Sequence, residues 1–218
     1  RALEAAGITP NEPDPPGGMI QRVDGQLTGL LAENAMQRLL AHVPPPTLEE
    51  LVEAIACCAR ELNRWGITSV TDAGVGMTCG ADDLRAYSTA RQRGLLTARF
   101  TLCLLGDASI GGRPTAPAVL ESGLRSGFGD EYLRIGPVKF FADGSASGRT
   151  AAFSQPYLDG QSYGILAYSL DELIQRVRPY HREGWQVAIH AIGDAAVEQV
   201  LQAYEALQRE CPRPGARC

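Results

Sequence analysis

Apolar positions recur along this chain in two alternating periods. The clearest helical period is TLEELVEAIACCARELNRWG, in which Leu48, Leu51, Val52, Ile55, Ala59 and Leu62 share one face. Thr47 with Glu50 reads as a capping box at its start, and Gly66 marks its end. A strand-like run, ITSVTDAG, follows at once. The same order then repeats: a helix near 82–93 closed by Gly94, a strand over 98–105 (ARFTLCLL), a weaker helix over 116–125, and a strand over 133–141 (LRIGPVKFF). Ser169 with Glu172 opens a further helix through Leu173, Val177 and Tyr180 that Gly184 ends. WQVAIH supplies another strand, and Asp194 is placed to cap a last helix with Val197, Val200, Leu201, Tyr204 and Leu207 on one side.

Strict alternation of strand and helix predicts an α/β fold, a parallel sheet covered by helices with right-handed crossovers. Four strands are about half of a (β/α)₈ barrel. The expectation is therefore a partial TIM barrel, about strands 2 to 5 with their helices and lacking the first and last; a self-contained open four-stranded sheet is the alternative. Residues 1–46 pattern differently, with a Pro- and Gly-rich stretch (NEPDPPGG), a hairpin signal around Asp24-Gly25, and a helix from about Glu33 to His42 stopped by Pro44 to Pro46. This divides the chain into 1–46 and a barrel region, 47–218. The chain starts at Arg1 within helix-like residues, so it reads as a cut piece of a longer one.

Composition narrows the partners. The 218 residues are 44% hydrophobic and 21% charged with a formal net charge of −5, and the arginines form no stripe interleaved with aromatics, which argues against nucleic acid. No run approaches the roughly 18 apolar residues of a membrane span, and the first 20 residues lack a signal-peptide core. The expected setting is cytoplasmic, away from membranes. Cysteines 57, 58, 79, 103, 211 and 218 include no CxxC pair and are expected as buried reduced thiols, not as disulfides or zinc ligands.

In parallel α/β folds chemistry gathers at the carboxyl ends of strands, which here bring forward Asp72, Lys139, Asp143, Gly144, His190 and Asp194. His190 closes an apolar strand, where a neutral imidazole serves as a metal ligand, as a general base, or simply as a core group bonded to a carbonyl. Lys139 lies inside the apolar run VKFF; a buried ammonium pairs with a carboxylate such as Asp72 or Asp143, loses its proton, or is modified. As a neutral amine it suits a Schiff base, or a carbamate that acts as a carboxylate ligand. DGSASG, opening a long irregular stretch, reads equally as a turn or as part of a site. His42 and His181 fall on helices away from the strand ends and are read as structural or solvent-facing.

VKFFADGSASGRTAAFSQPYLDG and GWQVAIHAIGDAAVEQVL, with WGITSVTDAG and PPGGMIQRVDGQLTGLLAENA upstream, resemble the metal-dependent amidohydrolases of amidohydrolase family 3, its YtcJ-like and N-acyl-D-amino-acid-deacylase-like members. The resemblance covers nearly the whole chain. It implies a (β/α)₈ barrel with a small β-sandwich, a family-specific insertion over 1–46, and one or two divalent metals, with zinc expected, that activate water against an amide or related C–N bond of a small molecule. Carried over by position, His190 matches the metal-binding histidine after the fifth strand, and Lys139 matches the lysine after the fourth that related enzymes carbamylate. Asp143, Gly144 and Asp194 match positions in the surrounding site loops; with Asp72 they are expected on the substrate side. The family's HxH pair, a further histidine and the proton-shuttling aspartate have no counterparts here, so the catalytic acid/base is unassigned and the chain reads as the middle of a larger enzyme, inactive alone. Two other readings stay open: an aldolase-like barrel with Lys139 as Schiff-base lysine and Asp72 or Asp143 as acid/base, and a non-catalytic barrel half that self-associates through exposed edges into a homo-oligomer.

Overall fold

The computed structural model describes residues 2–109, 111–158, 160 and 162–214. A short helix, α1 (Ala2–Ala5), precedes an antiparallel hairpin of β1 (Gly18–Val23) and β2 (Gln26–Glu33). Asp24 (φ 49°) and Gly25 (φ 76°) both take the left-handed conformation, the two-residue turn whose twist matches paired strands. The helix expected over 33–42 is shorter, α2 (Met36–Leu40). Glu33 ends β2 with φ 50°, so the chain is still reversing where the apolar period suggested a helix start. Ala6, Ile8, Ile20 and Ala35 bury a small core of their own beside this hairpin.

The remaining elements are α3 (Leu48–Arg64), β3 (Ser69–Val75), α4 (Ala81–Gln92), β4 (Arg99–Leu105), α5 (Ala116–Glu121), β5 (Leu133–Phe141), α6 (Leu170–Arg182), β6 (Val187–His190) and α7 (Asp194–Glu210). The four strands form one parallel sheet in the order β3-β4-β5-β6. This is the α/β fold that the alternation predicts. Both capping boxes form: the Thr47 and Ser169 hydroxyls accept the amides of Glu50 and Glu172, whose carboxylates accept in return. At α7 the expectation fails, because the N-cap is Gly193 and Asp194 is the first helical residue. β6 is also shorter than WQVAIH suggested. Trp185 instead lies fully buried just before it, edge-on to Tyr180, which is itself edge-on to Phe140.

Residues paired across parallel strands project to the same side, and successive residues alternate. Phe100, Leu102, Leu104, Val138, Phe140 and Val187 thus share the face that packs against the helices, and they make the centre of the main core. A register shift between Leu102 and Leu104 inserts an extra β5 residue and keeps both strands' apolar side chains on that face. Leu105, Lys139 and Ala188 form one row of the opposite face, and Phe141 and His190 the next.

Cys57, Cys58, Cys79, Cys103 and Cys211 are free thiols, as expected, but only Cys79 and Cys103 are buried; Cys57 and Cys58 lie on the solvent side of α3, and Cys218 lies outside the described residues. Among the described residues no helix is long and apolar enough to cross a membrane.

Candidate metal centre

Lys139 and His190 stand on adjacent strands at the carboxyl end of the sheet and on the same face, one register row apart. Phe141 touches both: the Lys139 Nζ is 4.6 Å from its ring centroid, and the His190 ring centroid is 5.4 Å away. Among the described residues Lys139 makes no ion pair, so the alternative of a bridge to Asp72 or Asp143 is not the one adopted. Burial pushes its amine below the usual lysine range, slightly offset by the neighbouring Cys103. A neutral amine is the form that reacts with an electrophile such as carbon dioxide.

The His190 imidazole, at the end of β6, is oriented by the loop that follows β5. Nε2 lies 3.0 Å from the Gly144 carbonyl oxygen, which only accepts, so Nε2 carries the proton. In the neutral ring the lone pair is then on Nδ1, the arrangement that metal-binding histidines use. Gly144 is therefore an orienting group through its backbone. A side chain there is impossible, since a Cβ would lie 2.0 Å from Thr150 Oγ1 and 2.1 Å from Glu33 Oε1.

Asp143, expected on the substrate side, is instead enclosed: its side chain is 0% exposed. Oδ1 accepts the amide of Ile192, and Oδ2 accepts those of Gly193 and Ala152, at 2.8–3.0 Å. One carboxylate thus ties the loop after β5 to the turn after β6, and its Oδ1 is 3.8 Å from His190 Nε2. The tie demands close backbone approach: a Cβ on Gly193 would sit 1.8 Å from the Ala152 carbonyl oxygen. Asp194 adds a second tie, accepting the amide and hydroxyl of Ser154, which hold its carboxyl below the usual range. A third comes from the hairpin, where Glu33 accepts the Thr150 hydroxyl. Glu33, Thr150 and Ser154 carry no motif in the sequence that marks them as partners.

Asp72 is on the wrong face for the expected role. It pairs in register with Leu102, on the helix side, where Oδ2 accepts the Tyr87 hydroxyl of α4 at 2.7 Å and Oδ1 accepts the Gly74 amide. Burial and this carboxylate together push the Tyr87 phenol well above its usual range. A Schiff-base lysine at 139 would have neither aspartate available as acid/base. His42 is exposed and bonded to the Arg38 carbonyl, and His181 is buried against the Cys211 carbonyl, so both are structural.

The amidohydrolase family profile matches residues 1–218. The chain belongs to the amidohydrolase family. YtcJ of Bacillus subtilis, a protein named as an amidohydrolase, is 33% identical over 94% of this chain. The N-substituted formamide deformylase of Arthrobacter pascens is 28% identical over 96% of it. An uncharacterized metal-dependent hydrolase from Pyrococcus furiosus superposes with a TM-score of 0.70 at 26% identity over 95% of the chain. The chain spans 37% of YtcJ, 38% of the deformylase and 40% of the Pyrococcus protein, so this amidohydrolase chain corresponds to well under half of each.

Proposed function

We propose that this chain forms the Lys139–His190 side of the metal centre in a (β/α)₈-barrel hydrolase that cleaves an amide or related C–N bond of a small molecule. One observation carries the reading: an unpaired, charge-disfavoured amine and an imidazole with a free Nδ1 lone pair share one face at the carboxyl ends of neighbouring strands. The donor set fits as part of a site. Among the described residues no group of three or more His, Cys, Asp or Glu is placed to hold an ion, whereas a catalytic zinc takes about three protein ligands. The further donors would come from strands that complete the barrel beyond β3 and β6.

A bound divalent ion, zinc by the match to imidazole nitrogen and carboxylate-like oxygen, would supply Lewis acidity and lower the pKa of a water. This chain's groups prepare that chemistry. The Lys139 amine adds to the carbon of carbon dioxide and releases a proton to solvent, which leaves a carbamate anion in place of a costly buried ammonium. His190 presents Nδ1 because Gly144 holds Nε2–H, and Asp143 fixes the backbone on both sides of that contact.

Lys139 is the only lysine in these 218 residues, and its variant isolates its signal from those of any other amine. The full-length protein labelled with ¹³C-bicarbonate should show a carbamate carbon resonance that Lys139→Ala removes. Lys139→Ala and His190→Ala should each lower metal content and reduce hydrolysis of N-acyl amino acids or N-substituted formamides by more than about a hundredfold, beyond the 10–100-fold typical of groups that only support a ligand. Stoichiometric metal and full turnover in both variants would overturn the reading.

A further inference from the structure

The His190 ring proton goes to the Gly144 carbonyl, and the peptide group that owns this carbonyl is bonded on its other side as well. Its N–H, the Ser145 amide, donates to Thr150 Oγ1 at 3.0 Å, and the Thr150 hydroxyl donates to Glu33 Oε1. Chemistry fixes each direction. A carbonyl and a carboxylate only accept and an amide N–H only donates, so the single hydroxyl proton goes to Glu33, a nearer and charged acceptor than the Ser145 carbonyl at 3.5 Å. The protons therefore all point one way, from the imidazole through the Gly144–Ser145 peptide and the hydroxyl to a carboxylate of the hairpin.

Hydrogen bonds in series polarise one another, and the one that ends on an ion is the strongest. Drawing the Ser145 proton towards Thr150 puts more negative charge on the Gly144 oxygen. That oxygen then holds the Nε2 proton more firmly and leaves Nδ1 richer in electrons, as a carboxylate bonded directly to a metal-binding histidine does. The carboxylate closer to the ring is not available for this. Asp143 Oδ1 is 3.8 Å from Nε2, beyond a hydrogen bond, and three backbone amides share its two oxygens.

Both ends of the relay are held in place to meet. Thr150 is 2% exposed, and the turn that carries it is bonded to itself: the Thr150 and Ala151 amides donate to the Ser145 carbonyl, and the Gly148 amide to the Ser145 hydroxyl. Glu33 takes φ 50°, a left-handed conformation that glycine or asparagine adopts with less strain. That bend aims its carboxylate out of the hairpin and against the Gly144 Cα. Buried Ala35, and the bond from the Asn34 amide to the Gly17 carbonyl, keep the hairpin end bent. Strain retained at a residue whose side chain serves a partner 117 residues away points to a task for that side chain.

We infer that Glu33 is a positioning residue for His190, acting through Thr150 and the Gly144–Ser145 peptide to hold the imidazole proton on Nε2 and the lone pair on Nδ1. The consequence for metal affinity rests on the hydrolase reading above; the relay itself does not. The hairpin unit thereby supplies the charge at the outer end of the centre.

The test uses full-length protein labelled with ¹⁵N-histidine, freed of metal by chelation and held on the alkaline side of the imidazole range. The His190 ring signals are those lost in His190→Ala. In the wild-type protein the Nε2 proton should be visible, shifted downfield and slow to exchange with solvent. Glu33→Gln still offers an oxygen to the Thr150 hydroxyl, but without charge. It should move the Nε2 proton resonance upfield and lower zinc affinity, read by competition with a chelator, by about tenfold, the lower end for groups that support a ligand. Thr150→Val should do both more strongly, and Thr150→Ser should restore the wild-type values. A purely mechanical tie would leave Glu33→Gln like the wild type; this variant changes almost no volume, so it decides the matter even where Thr150→Val fails to fold. An Nε2 resonance that keeps its wild-type position in Glu33→Gln overturns the inference. A shifted resonance together with full zinc affinity in His190→Ala upholds the relay and removes His190 from the metal, which is the failure of the hydrolase reading instead.

Discussion

The two faces of the four-stranded sheet are built from the same strands and solve different problems. On the helix side the centre is apolar, with Leu102, Leu104, Val138 and Phe140 at 0–1% exposure, and the carboxylate that joins the Leu102 row, Asp72, is matched to the Tyr87 hydroxyl. On the other side Lys139 is half-buried with an aromatic ring for its neighbour, and His190 uses one nitrogen and leaves the other open. Burying an amine without a counter-ion costs stability, so the second face gives up stability where the first gathers it. The contrast separates a face whose polar group is matched from one that leaves an amine without a counter-ion, within single strands whose residues differ only in parity.

Substitutions on the two faces should therefore diverge in sign as well as size. Trp185→Ala, beneath the helix face, is expected to lose about 3–5 kcal/mol by emptying the site edge-on to Tyr180; chemical denaturation reads it, and a loss under 1 kcal/mol would break the assignment of the core to that side. Asp143→Ala should cost about 3 kcal/mol, since the three amides it serves lose their acceptor. Amide hydrogen exchange should show the loss concentrated at Ala152, Ile192 and Gly193, whereas a uniform rise would mean general loosening instead.

With the Lys139 amine unmodified and no metal bound, Lys139→Met reverses the sign, with an expected gain of about 1 kcal/mol at neutral pH. Its pH dependence follows from the direction of the shift. The folded amine has the lower pKa, so the wild-type penalty is complete below that value and fades as pH rises from it to the ordinary lysine range. The stability gap between variant and wild type should narrow over that interval; a gap that widens would mean the amine is stabilised as the ammonium. Tyr87→Phe is the smallest change, a loss of about 0.5–1 kcal/mol from the hydroxyl given to Asp72. Metal content of the full-length protein should not move, and a drop would place Asp72 back on the site side.

The strands and helices were readable because a core imposes a period on whichever residues face it, and both capping boxes announced themselves by spacing. Where other forces set the boundary, the pattern misled. α2 starts late because Glu33 is still turning, and β6 starts late because Trp185 is anchored among aromatic neighbours before the ladder begins. Lys139 stood out as a lone charge in an apolar run, and His190 as a polar end to one. Asp72 looked equivalent to them because a strand-end carboxylate reads alike on either face; its side is fixed by pairing with Leu102, which only the register reveals. The partners of Asp143 are backbone amides, which have no residue identity to read. Glu33 and Thr150 meet across 117 residues.

The Asp143 tie also imposes an order on synthesis. Its acceptor atoms leave the ribosome about fifty residues before Ile192 and Gly193, so of its three amide partners only Ala152 is within reach until β6 and its following turn are made. The His190 imidazole and the Gly144 carbonyl that accepts from it lie on the two segments this carboxylate joins, so the same late tie brings them within hydrogen-bonding reach.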